Sequence, residues 1–143
     1  MGSKGVLLSG IALVIGVYAV GIKKADNLVA GSALTHAYKI QSENDARMGV
    51  RAGIHWLRGE PDGSSSGLSY TNSFIFNSDT VLYIVSIPAF VTSGQITSTS
   101  NFKGWQTVIK ANVKLKFAGA SYYWQPTAWY IVPNPNEAKY VYQ

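Results

Sequence analysis

The hydrophobic pattern of residues 5–58 predicts one continuous helix, because this stretch contains no proline and keeps a helical spacing of apolar positions. Its first part, 6–22, has seventeen positions without a charged residue. Its last part is polar but retains Val50, Ile54 and Leu57 on one helical face. At about 1.5 Å per residue the helix would extend about 80 Å, more than a domain of this size can cover. We therefore expect a membrane, other copies of the chain, or both to bury it.

A termination signal follows this helix. Gly59 stands just past the last apolar position and Pro61 follows two residues later, a combination that ends helices. The glycine- and serine-rich stretch after it is typical of a flexible linker. The pattern thus divides the chain into a helix over 1–58, a connector over 59–67 and a β-domain over 68–143.

The end of the predicted helix has one face suited to contact with a sheet. Val50, Ile54 and Leu57 form an apolar stripe, and Gly49 and Gly53 beside it would let a sheet approach closely. We expect this stripe to pack on the apolar face of the β-domain. The preceding polar belt, 42–45, we interpret as a solvated helix face.

Apolar and polar positions alternate in the β-domain, which predicts strands with one packed and one solvated face. The clearest is 105–117. Its apolar face comprises Ile109, Ala111, Val113, Leu115 and Phe117. Its polar face comprises Lys110, Asn112, Lys114 and Lys116.

Further strands are predicted on both sides of 105–117. Residues 80–87 form a buried strand ended by Pro88, and 95–100 alternate more weakly. A hairpin turn is expected at 101–104, and 122–132 supply one or two more strands interrupted by Pro126. The predicted fold class is α+β, with a long N-terminal helix, apolar in its first part, packed at its C-terminal end on a small antiparallel sheet.

The composition argues against several kinds of functional site. The 143 residues include no cysteine, which excludes disulfides and thiolate ligands. The two histidines, His36 and His55, are nineteen residues apart, whereas a metal pair on a helix needs a spacing of three or four. No catalytic triad, pair of acids or phosphate loop is present in the β-domain. We expect neither an enzyme nor a cofactor.

The net charge of +5 arises from scattered positive residues, which does not imply a dedicated nucleic-acid domain. Lys110, Lys114 and Lys116 share one strand face. We interpret them first as a solvated face that resists edge pairing, and second as a weak anion patch helped by the aromatic residues 122–124. The aromatic cluster at 121–132 favours a core or a subunit interface, with glycans or other surfaces as alternative partners.

The apolar segment 6–22 is compatible with several roles. As a helix it spans about 26 Å, slightly less than the hydrocarbon core of a bilayer. Its small residues lie three or four apart and mark one face for close helix contact; they are Ser9, Ala12, Gly16 and Ala19. A cleaved secretory signal, a single-pass anchor and a buried soluble helix remain open. Lys23 and Lys24 after the segment, against Lys4 before it, would place its C-terminal side in the cytoplasm.

The combination of these elements resembles the type IV pilin superfamily, including minor pilins and pseudopilins. Lys4 and Gly5 before an apolar run resemble a prepilin peptidase site. Residues 43–57 are similar to the helix end of minor-pilin-like sequences, and 96–116 to the hairpin of their β-domains. Gly10 stands where many pilins carry a glutamate, five residues after the cleavage site.

The resemblance implies a structural subunit of an extracellular filament, with bundled helices in the core and β-domains outside. It implies processing after Gly5, a location in the inner, or cytoplasmic, membrane before assembly, and other copies of the chain as partners. The helix-core contacts would come from Leu7, Ile11, Ala12, Val14, Ile15, Gly16 and Ala19. The alternatives are a membrane-anchored binding module and a pseudopilin that assists secretion.

Overall fold

The structure, a computed structural model, describes residues 3–60 and 67–134, with side chains described for 13–60 and 67–134. In these ranges it contains one helix and five strands: α1 (Ser3–Gly59), β1 (Leu68–Phe76), β2 (Asp79–Ile87), β3 (Ser93–Phe102), β4 (Trp105–Ala118) and β5 (Ser121–Val132). The prediction of an α+β chain with a long N-terminal helix and an antiparallel sheet is confirmed.

Several predicted features lie outside the described residues. They are most of the connector, at 61–66, and the side chains of the first seven residues of the apolar segment, 6–12. No side chain is described for the predicted packing residues Leu7, Ile11 and Ala12, and at the processing position Gly5 only the backbone is described.

The chain divides into two compact units between His36 and Ala37. The first unit is helical through its described residues. The second holds the remainder of α1 and all five strands. Helix α1 ends at Gly59, where the amide of Glu60 donates to the carbonyl of Leu57 at 3.2 Å. Arg58 lies in the last turn, where a positive charge is favoured by the helix dipole.

The sheet is a meander in which each strand pairs antiparallel with its sequence neighbours, in the order β1-β2-β3-β4-β5. Two hairpins turn through two residues with positive φ: Asn77 and Ser78 (49° and 65°), and Lys103 and Gly104 (51° and 83°). Such turns match the twist of the flanking strands. The turn predicted at 101–104 is therefore confirmed, whereas the first strand, β1, was not predicted as a separate element.

Strand β4 confirms most of the predicted alternation. Ile109, Ala111, Val113 and Leu115 are buried, and the lysines alternate with them on the opposite face. The prediction for Phe117 is wrong, since this side chain is 69% exposed. It continues the apolar face along the strand, but beyond the point where the sheet is covered.

Strand β5 is continuous across Pro126 and contains one irregularity. Val113 pairs with Pro126, whereas the preceding residue, Asn112, pairs with Ala128, so Thr127 is an extra residue in the ladder. An extra residue of this kind reverses which side chains face each side of the sheet. Trp124 and Trp129 consequently face the same side although they are five positions apart.

The core of the second unit lies between the sheet and the C-terminal part of α1. Ala46, Val50, Ile54 and Leu57 are buried in one apolar cluster with side chains from β2, β3, β4 and β5. At Gly49 an added Cβ would overlap Ser98 Oγ and lie 2.7 Å from Val81 Cγ1. At Gly53 it would lie 2.8 Å from Ile96 Cγ2, so the predicted close approach is confirmed at both glycines.

Candidate functional site

An exposed apolar surface covers the helix of the first unit. Between Leu13 and Leu34, ten large apolar side chains are each more than half exposed. They are Leu13, Val14, Ile15, Val17, Tyr18, Val20, Ile22, Leu28, Val29 and Leu34. Because successive helical residues are rotated by about 100°, the consecutive positions 13–15 already point to different sides. From Leu13 to Ile22 the helix is therefore apolar around its circumference, a pattern typical of a helix buried by other molecules or elements.

Small residues lie among these apolar side chains. An added Cβ at Gly16, Gly21 or Gly31 would have no neighbouring atom within 4 Å, and Ala19 is exposed. The predicted helix-core residues with described side chains, namely Val14, Ile15, Gly16 and Ala19, thus all lie on this open surface. Within the part of the chain that the structure describes, no helix has both the length and the mean hydropathy needed to span a membrane.

A second feature is a buried polar cluster between α1 and the sheet in the second unit. Ser42 Oγ donates to the carbonyl of Trp105 at 2.9 Å and lies 3.2 Å from Ser100 Oγ. Ser100 Oγ donates to Asp79 Oδ2, and the amide of Asn101 donates to the same carboxylate. These contacts fix the helix to the β3–β4 hairpin through hydrogen bonds inside a largely apolar core.

Asp45 belongs to the same junction. Its Oδ1 accepts hydrogen bonds from Gln41 Nε2 at 2.7 Å and from Asn77 Nδ2 at 3.4 Å, whereas its buried Oδ2 has no hydrogen-bond partner. Burial raises the pKa of Asp45, and the two amide donors act in the opposite direction. The interpretation of 42–45 as a solvated face is therefore wrong for Ser42 and Asp45, both fully buried.

The buried cluster offers little to a substrate. Its hydroxyl and carboxyl groups are occupied mainly with one another and with the backbone. Among the side chains that the structure describes, no group of three or more histidine, cysteine, aspartate or glutamate residues is arranged to hold a metal ion. The cluster is best understood as a means of orienting the helix on the sheet.

A third feature is the face of the sheet opposite α1, which we call the outer face. In β4 it carries Lys110, Lys114 and Lys116, and the cross-strand partners of these lysines in β5 are Tyr130, Gln125 and Tyr123. Of the three aromatic residues expected near the lysines, only Tyr123 shares their face. Trp124 is buried on the other face opposite Leu115, and Tyr122 is paired with Phe117.

Tyr130 was missed by sequence reasoning, although hydrogen bonds fix its position. Gln95 Nε2 lies 3.2 Å from the Tyr130 hydroxyl and 3.1 Å from Asn112 Oδ1, and donates to both. Simple alternation from Tyr123 would have placed Tyr130 on the inner face, because the extra residue Thr127 changes the parity of β5. Pro126, which commonly accompanies bulges, was the only local signal.

An open groove of about 560 Å³ runs beside these residues on the outer face. One wall is formed by the β2–β3 connection, with Pro88 and Val91, and Lys114 lies on the other side. Most of the remaining lining is hydroxyl or amide, including Ser86, Gln95, Thr97, Asn112 and Thr127. The groove thus combines polar and apolar surface, is uncharged except at its lysine, and is open to solvent.

No protein-family model, curated protein or solved structure matches this chain. Three features of the described residues bear on function: the exposed apolar helix, the buried polar junction and the outer face of the sheet. Of these, the first exposes the most apolar surface.

Proposed function

We propose that this chain is a structural subunit of an extracellular type IV pilus-like filament, with helices bundled in the filament core and β-domains outside. The observation that carries the proposal is the surface of ten exposed apolar side chains on α1. Burying one such side chain is worth about 1.5–3 kcal/mol, so the whole surface strongly favours association. In this role the chain works by assembly and needs neither a catalytic residue nor a cofactor.

Other copies of the same helix are the partners that suit this surface. Every copy presents the same apolar circumference, and the open space around Gly16, Gly21 and Gly31 would allow helix backbones to approach closely. The contacts in the bundle would come from the predicted set of Leu7, Ile11, Ala12, Val14, Ile15, Gly16 and Ala19.

The two parts of α1 differ in their contacts, and this difference supports the same proposal. The first part would bind neighbouring helices, while the stripe of Val50, Ile54 and Leu57 carries the β-domain through the apolar cluster. Ser42 and Asp45 add hydrogen bonds that give the helix one orientation on the sheet. A rigid junction would let a regular helical bundle display its β-domains at regular positions.

Before assembly, the subunit would reside in the inner, or cytoplasmic, membrane through 6–22, with processing after Gly5. The glycines in this segment reduce its hydrophobicity, which would lower the free energy needed to extract it into a filament. The assembled subunit would lie on the cell surface with its β-domain outside, which is opposite to the orientation that Lys23 and Lys24 indicate.

A membrane-anchored binding module is the second candidate, and the groove on the outer face favours it. In that case the β-domain would act alone and the apolar helix would serve as an anchor. A pseudopilin that assists secretion would share the helix contacts but form only short assemblies.

Electron microscopy of material sheared from the cell surface, with mass spectrometry of its main band, tests the proposal. Wild-type cells should yield filaments built from this chain, and the N-terminal peptide should reveal any processing. The variants Gly16→Phe and Ala12→Phe should form no filaments while the chain is still produced, because the added ring prevents close helix contact.

His55→Phe provides the control for added aromatic bulk, since His55 is an exposed helix residue outside the apolar surface. This variant should assemble normally. Normal filaments from Gly16→Phe and Ala12→Phe would contradict the helix bundle. Complete absence of filaments in the wild type would favour the anchored module.

A further inference from the structure

We propose that the outer face of the sheet binds an acidic polysaccharide, a polymer of sugars that carry carboxylate groups. This inference goes beyond assembly and does not depend on it. Three observations support it: the charge of the outer face, a tyrosine held in place by a hydrogen bond, and the polar groups that line part of the groove.

Charge is distributed unevenly over the sheet. Among the strands that the structure describes, Asp79 is the only acidic residue, and it is buried on the inner face. The outer face therefore carries three lysines and no negative charge to offset them. Lys114 and Lys116, two residues apart on one strand, are separated by about 7 Å, and Lys110 lies about 14 Å from Lys114. A row of cations at these distances complements a chain of repeated anions.

Tyr130 adds a fixed aromatic group beside this row. It is the cross-strand partner of Lys110, and the hydrogen bond from Gln95 restrains its hydroxyl. Because Gln95 also donates to Asn112, the three side chains form one connected network across β3, β4 and β5. Binding would therefore require little additional ordering of this part of the surface.

The groove favours a sugar polymer over a nucleic acid. Hydroxyl and amide groups stand among apolar side chains in its lining, and they can exchange hydrogen bonds with the hydroxyls of sugars. Single-stranded nucleic acids, by contrast, are bound on several aromatic side chains that stack successive bases. On the described outer face only Tyr123 and Tyr130 are aromatic, and they lie at opposite ends of the lysine row. The groove is also open to solvent, so a polymer need not enter a closed cavity.

The test measures binding of the full chain to polygalacturonate, a polymer of uronic acids, at low and at high salt. Dextran, which is uncharged, and a single-stranded oligonucleotide serve as comparison probes. Wild-type protein should bind polygalacturonate in preference to both, and added salt should weaken this binding. The double variant Lys114→Gln and Lys116→Gln should bind about fivefold to tenfold more weakly, as expected for the loss of two exposed charge contacts.

The matched control is the double variant Arg51→Gln and Arg58→Gln, which removes the same charge from exposed positions on α1. It should retain wild-type affinity if the outer face is the site. An equal loss of affinity in both double variants would mean that binding depends only on the net charge of the protein, which would overturn the proposal. Tyr130→Ala should weaken binding, with Tyr122→Ala as its control. Preference for the oligonucleotide, equal binding of dextran, or undiminished binding by the lysine variant would each overturn the proposal.

Discussion

Gly53 of α1 lies so close to Ile96 of β3 that an added Cβ would come within 2.8 Å of Ile96 Cγ2. Real Cβ atoms do not approach carbon this closely, and Ile96 is fully buried, so the contact leaves no room for a methyl group. Gly49 stands in the same relation to Ser98 and Val81 one turn earlier. The two glycines thus set the distance between helix and sheet.

Replacing either glycine by alanine should destabilise the second unit. A methyl group forced into a packed core costs about 1–3 kcal/mol, while alanine recovers about 1 kcal/mol of helix propensity. We expect Gly49→Ala and Gly53→Ala to lower the free energy of unfolding by up to about 2 kcal/mol, the difference between these two terms, measured by chemical denaturation. Gly59→Ala, where an added Cβ has no neighbour within 4 Å, should remain within about 0.5 kcal/mol of wild type. Unchanged stability of both core variants would mean that the helix can shift on the sheet.

A charge placed in the apolar stripe should unfold the β-domain. Ile54 is only 8% exposed and belongs to the main apolar cluster. Ile54→Asp removes about 1.5–3 kcal/mol of apolar burial and buries an unpaired carboxylate, against a total stability of about 5–10 kcal/mol. Circular dichroism melts should show loss of the cooperative transition. Lys114→Glu, on the solvated face of β4, should stay within about 0.5 kcal/mol of the parent. An unaltered melting curve for Ile54→Asp would show that the C-terminal end of α1 is not part of the core.

Asp45 should make stability depend on pH. Burial raises its folded-state pKa above the ordinary value of 3.8, so the folded chain holds this proton more tightly than the unfolded chain. The associated stability is present below the unfolded pKa and is lost as the pH rises through the folded pKa. Relative to Asp45→Asn, wild type should therefore lose unfolding free energy as the pH rises from below the ordinary value of 3.8 through the raised folded-state pKa.

Denaturation curves at several pH values check this expectation, and the quantity of interest is the difference between wild type and Asp45→Asn. Glu43→Gln removes a neighbouring carboxylate that lies outside the buried cluster, and it should keep the wild-type pH dependence. Parallel curves for wild type and Asp45→Asn would show that Asp45 does not titrate differently on folding.

The sequence predicted the parts of the fold that depend on one periodicity. Alternation along β4 correctly separated Ile109 and Ala111 from Lys110 and Asn112, because a strand has only two faces. The same alternation could not show that the part of the sheet covered by α1 ends before Phe117, because that limit depends on the position of the helix and not on the strand. The position of Tyr130 was missed for a related reason. One bulged residue exchanges the two faces for the rest of β5, and it leaves almost no trace in the composition.

The buried polar junction could have been found from spacing. Ser42 and Asp45 precede Ala46, Gly49 and Val50 on one helical face, at intervals of three and four. Their polar character favoured a solvated interpretation, and the hydrogen-bond partners that make burial acceptable come from distant strands. The exposed surface of α1 is the opposite case, since the uncharged run in its sequence was enough to predict an apolar helix without any knowledge of distant strands.

The meander order has a consequence for how the protein can fold. Each strand pairs only with its immediate neighbours in sequence, so the sheet can grow hairpin by hairpin at a small loop-closure cost. The helix contacts are of another kind: Ser42 is separated by 58 residues from Ser100 and by 63 from Trp105. During synthesis from the N-terminus, the stripe of Val50, Ile54 and Leu57 is complete long before the strands that cover it. The newly made chain must therefore keep this stripe from other apolar surfaces until β3 and β4 have emerged.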